Sequence, residues 1–144
     1  MARVLIVHGP NLDLLGRREP ELYGKMTLDQ VNEELVRAGK SLGVEVLTYQ
    51  SNHEGDLIDF IHAEGADCLG LIINAGALSH YSYALRDAIA ATGVRAIEVH
   101  ITNVYAREEF RRHSVIAPVC VGQISGLGAR GYLAALSWLA EPGE

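Results

Sequence analysis

The chain has 144 residues, 49% hydrophobic and 21% charged, with a net charge of −6 at pH 7. This is the balance of one ordinary globular domain, and its negative charge argues against a surface for nucleic acid or another polyanion. No apolar run reaches the roughly 18 residues of a membrane span and no signal segment opens the chain, so it reads as soluble and cytoplasmic, with no membrane partner.

Arg3 to His8 is a continuous, largely β-branched run, the pattern of a strand buried on both faces. The stretch from His8 to Gly24 then precedes the next helical pattern, where connections in α/β units take about 2–6 residues. It carries Leu12, Leu14, Leu15, Leu22 and Tyr23, which favour burial, and it sets Arg17 and Arg18 near Tyr23, between Gly16 and Gly24. An ordered lid over about residues 16–25, hinged at its glycines and carrying chemistry, is the expectation.

Thr27 with Gln30 forms a capping box, and Leu28, Val31, Leu35 and Leu42 follow helical spacing to a terminating Gly43. Val44 to Gln50 reads as the second strand, followed by a polar turn and a helix with Leu57, Ile58 and Ile61 on its apolar face. Cys68 to Ile73 is a third strand, and Ser79 or His80 opens the next helix, which runs to Thr92 and Gly93. Arg95 to Ile101 is a fourth strand, Thr102 to Arg112 holds a short helical turn, Val119 to Ile124 is a fifth strand, and Gly128 to Leu139 is the closing helix. Cys68 and Cys120 lie in apolar runs and read as buried small hydrophobes in a reducing compartment, with no zinc-like spacing.

Strands and helices alternate without a repeat or linker, which predicts one α/β domain over residues 1–144. Its parallel sheet would be five-stranded, in the flavodoxin-like order 2-1-3-4-5, with helices on both faces as a three-layer sandwich. In such sheets ligands bind beyond the carboxyl ends of the strands, where the strand order reverses. The loops beginning at His8, Asn74 and Ile101 should therefore share one crevice.

Glu98, His100 and Thr102 alternate along the fourth strand and so project to one side, with His100 and Thr102 at the ligand end. A carboxylate on a covered parallel strand needs a partner. Glu98 either orients and charges His100 as a general acid or base, or forms a structural ion pair with it. Spacing also permits a metal site from Glu98, His100 and His80, although no other ligand cluster reinforces it. Asn74 and His80 flank a glycine-containing loop at the same end. Arg107 and Arg111, four apart, share a face if helical, or else pair with Glu108 or Glu109 at the surface. His53, His62 and His113 read as surface or packing residues.

Gly126 to Gly131 matches the dinucleotide fingerprint literally, yet only 13 residues follow it, too few for a βαβ unit and its ribose-binding acid. It reads as a tight strand-to-helix turn, and no nicotinamide cofactor is expected. A receiver or nucleotide-binding module would need an acidic pocket or a phosphate cradle after the first strand, where this chain has asparagine, two arginines and tyrosine. A purely structural assembly protein would not need Glu98 and His100 at a ligand end.

Gly9-Pro10-Asn11-Leu12, Gly16-Arg17-Arg18-Glu19-Pro20 with Tyr23-Gly24, Asn74-Ala75-Gly76 with His80, Glu98-Val99-His100, and Arg107-Glu108-Glu109-Phe110-Arg111 together resemble type II 3-dehydroquinate dehydratases over essentially the whole chain. The resemblance implies a flavodoxin-like fold and an anti elimination of water from 3-dehydroquinate through an enolate, in the shikimate pathway, with no metal, no Schiff base and no other cofactor. It implies Tyr23 as the base at C2 with Arg18 beside it, Asn11 holding a water at the enolate oxygen, and His100, supported by Glu98, protonating the departing C1 hydroxyl. Asn74 with the backbone amides of Ile101 and Thr102 would hold the carboxylate, His80 and Arg111 the ring hydroxyls, and Arg107 would close with the lid. Asp87 would reach a neighbouring subunit's site, in trimers assembled into dodecamers. His8 stands where the family usually has asparagine, Asp13 where asparagine or glycine is common, and Thr102 where serine is frequent.

A free tyrosine ionises near pH 10, so one acting as a base near neutrality needs cationic neighbours. One guanidinium about 4 Å away supplies up to roughly 4 kcal/mol at an effective dielectric near 20, before desolvation opposes it. One arginine is marginal for this task and two are ample, which Arg18 together with Arg107 or Arg17 would provide. Its two lysines, Lys25 and Lys40, lie on no strand end, which disfavours imine chemistry.

Overall fold

The computed structural model describes residues 1–141. Five parallel strands form one sheet in the order β2-β1-β3-β4-β5, as the alternating pattern predicts. They are β1 (Arg3–His8), β2 (Glu45–Gln50), β3 (Gly70–Asn74), β4 (Ala96–His100) and β5 (Gly122–Ser125). The helices are α1 (Pro20–Tyr23), α2 (Leu28–Ser41), α3 (Glu54–Glu64), α4 (Tyr83–Thr92) and α5 (Arg130–Ala140).

The central strands are apolar on both faces because both are covered. Val4 and Ile6 of β1 pack with Val31 and Leu35 of α2 and with Tyr132 and Leu136 of α5. Leu5 and Val7 pack on the opposite side, with Leu57 and Ile61 of α3 and Leu85 and Ile89 of α4. At about 25 cal/mol per Å² of apolar area removed from water, these two layers are the dominant favourable contribution to folding. The capping box at Thr27 is formed in both directions, at 3.2 Å and 2.9 Å.

Several elements depart from their predicted bounds. Leu42 caps α2 and is 41% exposed, since the helix turns its apolar stripe away before that residue. The Ser79/His80 region is a 3₁₀ turn over Gly76–His80, and α4 starts only at Tyr83 because the Ser82 hydroxyl caps it through Leu85 N–H. Thr102 to Arg112 holds two 3₁₀ turns, Val104–Ala106 and Glu109–Arg112. The start of the fifth predicted strand is another 3₁₀ turn, Ala117–Val119, nucleated by a proline. Both cysteines are half-buried and lie outside the strands.

The register brings the site loops together. His8 pairs with Asn74 across β1 and β3, and His100 with Ser125 across β4 and β5. The carboxyl ends of β1, β3 and β4 thus open onto one edge, at the reversal of strand order. Gly126 N–H and Gly128 N–H bond to the carbonyls of His100 and Ile101, so the fingerprint-like sequence is the turn that buttresses the end of β4.

Candidate active site

The segment after β1 leaves the sheet through a close approach. A Cβ on Gly9 would lie 2.5 Å from the Ala75 carbonyl oxygen, so only glycine lets the loops after β1 and β3 touch. A 3₁₀ turn over Leu12–Leu14 follows, and Leu12 and Leu15 anchor it in the core, whereas Leu14 and Leu22 are exposed, contrary to the burial expected of them. Beyond this anchor the segment becomes a single turn of helix, Pro20–Tyr23, between Gly16 at φ 86° and Gly24 at φ 88°.

That turn delivers Tyr23 to the sheet edge. Arg18 Nη2 donates to Tyr23 Oη at 3.0 Å, with its guanidinium 4.2 Å from the ring centroid. Arg107 stands 5.2 Å from the same ring and donates to Thr102 Oγ1 at 3.1 Å. Two guanidinium groups therefore face one phenol. The second is Arg107, which the sequence left interchangeable with Arg17.

The same cleft is bordered by the imidazole of His100, almost fully buried at the end of β4. His100 Nε2 and Glu98 Oε2 are 2.5 Å apart, and Ser114 Oγ donates to Glu98 Oε1 at 2.7 Å. Burial of Glu98 opposes its ionisation, yet the bond from His100, its positive charge and the Ser114 hydroxyl outweigh burial and hold the carboxyl below its ordinary range. Because an ionised carboxylate only accepts, the hydrogen is assigned to His100 Nε2, which leaves Nδ1 for chemistry.

His80 lies 6.1 Å from His100, centroid to centroid, with nearly parallel rings. Its Nδ1 donates to the His113 carbonyl at 2.7 Å, fixing the ring and leaving Nε2 as its second polar atom. Burial, together with the nearby His100 and Arg111, lowers its pKa despite the His113 bond. Arg111 is held by Glu108 at 3.1 Å, and Glu108 also lies 3.8 Å from Arg107. Glu108 thus spaces the two arginines while both keep donors toward the cleft. The surface pairing and the functional placement coexist.

These groups line one cleft, part of it open to solvent. Asn11, Arg18, Tyr23, Asn74, His80, His100, Ile101, Thr102, Arg107 and Arg111 all border it. Glu98 stands behind His100. Asp87 is exposed on α4 and does not border the cleft of its own chain. The backbone N–H groups of Ile101 and Thr102 have no partner among the described residues, so they are free to receive an anion. Asn11 adopts φ 71° and is tied by its backbone N–H to Asn52 Oδ1 at 2.9 Å.

The sequence matches the family described as Dehydroquinase class II over residues 2–140. The chain belongs to that family. It is 61% identical over 137 residues to the 3-dehydroquinate dehydratase of Roseiflexus castenholzii, covering 95% of this chain and 87% of that one. It is 57% identical over 136 residues to the 3-dehydroquinate dehydratase of Halothermothrix orenii, covering 94% and 92%. The crystal structure of the type II dehydroquinase from Propionibacterium acnes superposes with a TM-score of 0.94 at 44% identity, covering 97% of both chains.

Sequence reasoning missed three supports of this cleft. Ser114 and the His113 carbonyl lie in an irregular loop, and no local signal marks them. His8 did carry a signal: a polar ring in a strand covered on both faces must find partners. It finds Tyr132 and Asn32, at 3.0 and 2.8 Å.

Proposed function

We propose that the chain dehydrates 3-dehydroquinate to 3-dehydroshikimate in the shikimate pathway. The observation that carries the reading is a phenol beside two guanidiniums and a carboxylate-backed imidazole lining one cleft. Tyr23, as phenolate, takes the proton at C2, and the electron pair passes into an enolate at the C3 carbonyl. The C1–O bond then breaks, its oxygen takes a proton from His100 and leaves as water, and the C1–C2 double bond forms. Base and acid both border the one cleft.

Arg18 and Arg107 hold positive charge beside the phenolate, and Glu98 steadies the imidazolium. Asn11 holds the water at the enolate oxygen. Asn74 with the amides of Ile101 and Thr102 takes the substrate carboxylate, and His80 and Arg111 take the ring hydroxyls. Closure of residues 16–25 carries Tyr23 to the substrate and expels water in the same motion. The whole chain serves as one catalytic domain.

Asp87, exposed on α4, is assigned to the cleft of a neighbouring subunit, in trimers that assemble into a dodecamer. The described residues contain no helix long and apolar enough to cross a membrane, and a cytoplasmic location fits the proposed pathway.

The test is the rise in ultraviolet absorbance of an enone carboxylate when purified protein meets 3-dehydroquinate, with and without EDTA. A rise unaffected by EDTA is expected, and a flat trace under both conditions overturns the activity. Borohydride added with substrate should leave no covalent adduct, and an adduct on Lys25 or Lys40 would replace the phenolate route with an imine one.

A further inference from the structure

Behind the cleft lies a buried polar chain of which the proposed chemistry uses only the Asn74 end. His8 and Tyr132 are both fully buried among apolar side chains. His8 Nε2 lies 2.8 Å from Asn32 Oδ1, His8 Nδ1 lies 3.0 Å from Tyr132 Oη, and Asn74 Nδ2 donates to Tyr132 Oη at 3.0 Å.

The direction of every hydrogen follows from the groups themselves. An amide oxygen only accepts, so with Asn32 Oδ1 facing the ring, His8 Nε2 carries the hydrogen. A neutral imidazole has one N–H, so Nδ1 accepts and must take the Tyr132 hydroxyl hydrogen. Tyr132 Oη then has only lone pairs to offer Asn74, and accepts from Nδ2. The far side of that amide is fixed as well, since Gly76 N–H donates to Asn74 Oδ1 at 3.1 Å. The second Nδ2 hydrogen remains for the cleft that Asn74 borders.

We infer that His8 and Tyr132 are positioning residues that lock the Asn74 amide with its donor, rather than its acceptor, toward the substrate. A flipped amide would present Oδ1 to a carboxylate and repel it. The inference rests on the proposed dehydratase reading for the identity of that carboxylate.

The experiment is a double-mutant cycle on the full-length protein, with kcat and KM for 3-dehydroquinate measured for the wild type, Tyr132→Phe, Asn74→Ala and the double variant. Tyr132→Phe is expected to raise KM about ten-fold with kcat within two-fold, in line with loss of one buried hydrogen bond. In the Asn74→Ala background the same change should move KM less than two-fold. An unchanged KM in Tyr132→Phe overturns the inference, as does an equal rise in both backgrounds, which marks a packing effect.

If Tyr132→Phe does not fold, His8→Phe fills the same ring space without nitrogens and enters the same cycle with the same criteria. Hydrogen exchange of the Asn74 side-chain amide needs no turnover, and should quicken about ten-fold in either variant. Should the wild type itself fail to turn over substrate, the activity reading falls while this exchange still decides the role of Tyr132. Unchanged exchange would refute it.

Discussion

The burial of His8 makes a quantitative statement about acid stability. Burial is the larger influence on this ring and the Asn32 bond the lesser, opposing one, and together they lower its pKa from 6.5 to about 4. The fold therefore holds the neutral ring. By linkage, the unfolded chain binds a proton at this site between pH 6.5 and 4 while the folded chain does not. The stabilisation is complete above the unfolded value and is lost as pH falls toward the folded one. At 1.36 kcal/mol per unit, the loss between pH 7 and pH 4 is about 3 kcal/mol, a large part of the typical stability of a domain. The perturbation that isolates it is His8→Asn, which cannot titrate in this range. Urea unfolding followed by Trp138 fluorescence, at one protein concentration and at pH 7 and pH 4, gives the stability gap between wild type and variant. Contributions from Glu98 and His80, whose values are also lowered, cancel in that comparison. The gap should move by about 3 kcal/mol against the wild type on acidification. A gap equal at both pH values would refute the reasoning, because His8 would then not be held neutral by the fold.

Arg18→Ala removes a charge-assisted hydrogen bond to Tyr23, worth about 1.5–3 kcal/mol, so turnover should fall about ten- to a hundred-fold, most strongly on the acidic side of the pH–rate profile. Near-normal turnover with an unshifted profile would remove Tyr23 from the role of base. Glu98→Gln exchanges the carboxylate behind His100 for a neutral amide and should cost a similar factor in kcat. Because the Glu98 pKa is depressed in the fold, its stabilising contribution holds above the ordinary carboxylate range and fades as pH falls through the folded value. The Gln variant should therefore lose less stability than the wild type on acidification below about pH 4.5, as urea titrations would register. Gly9→Ala would drive a Cβ to 2.5 Å from the Ala75 carbonyl oxygen, so both melting temperature and activity should drop. An unchanged melting temperature would mean that the two loops can part freely.

The apolar elements were legible because each runs long enough to show its period. The alternation of strand and helix patterns specified a doubly wound sheet, and the rule placing ligands at the strand-order reversal then selected the loops at His8, Asn74 and Ile101. Boundaries failed where polar side chains decide them. Ser82 rather than Ser79 or His80 caps α4, and Leu42 continues an apolar spacing after the helix has ended. Leu14 and Leu22 show that hydrophobic character does not force burial in a segment held at only two points.

The sequence by itself determined the fold class, the crevice and the residue types within it, because periodicity, turn chemistry and motif spacing are local properties of the chain. Only the tertiary structure decided which arginine joins Arg18 over Tyr23, that Ser114 and the His113 carbonyl hold Glu98 and His80, and that His8 reaches Asn74 through Tyr132. These contacts join residues up to 124 positions apart. A hydrogen bond depends on ångström distances that no local pattern encodes, and those distances exist only once the sheet has set its register.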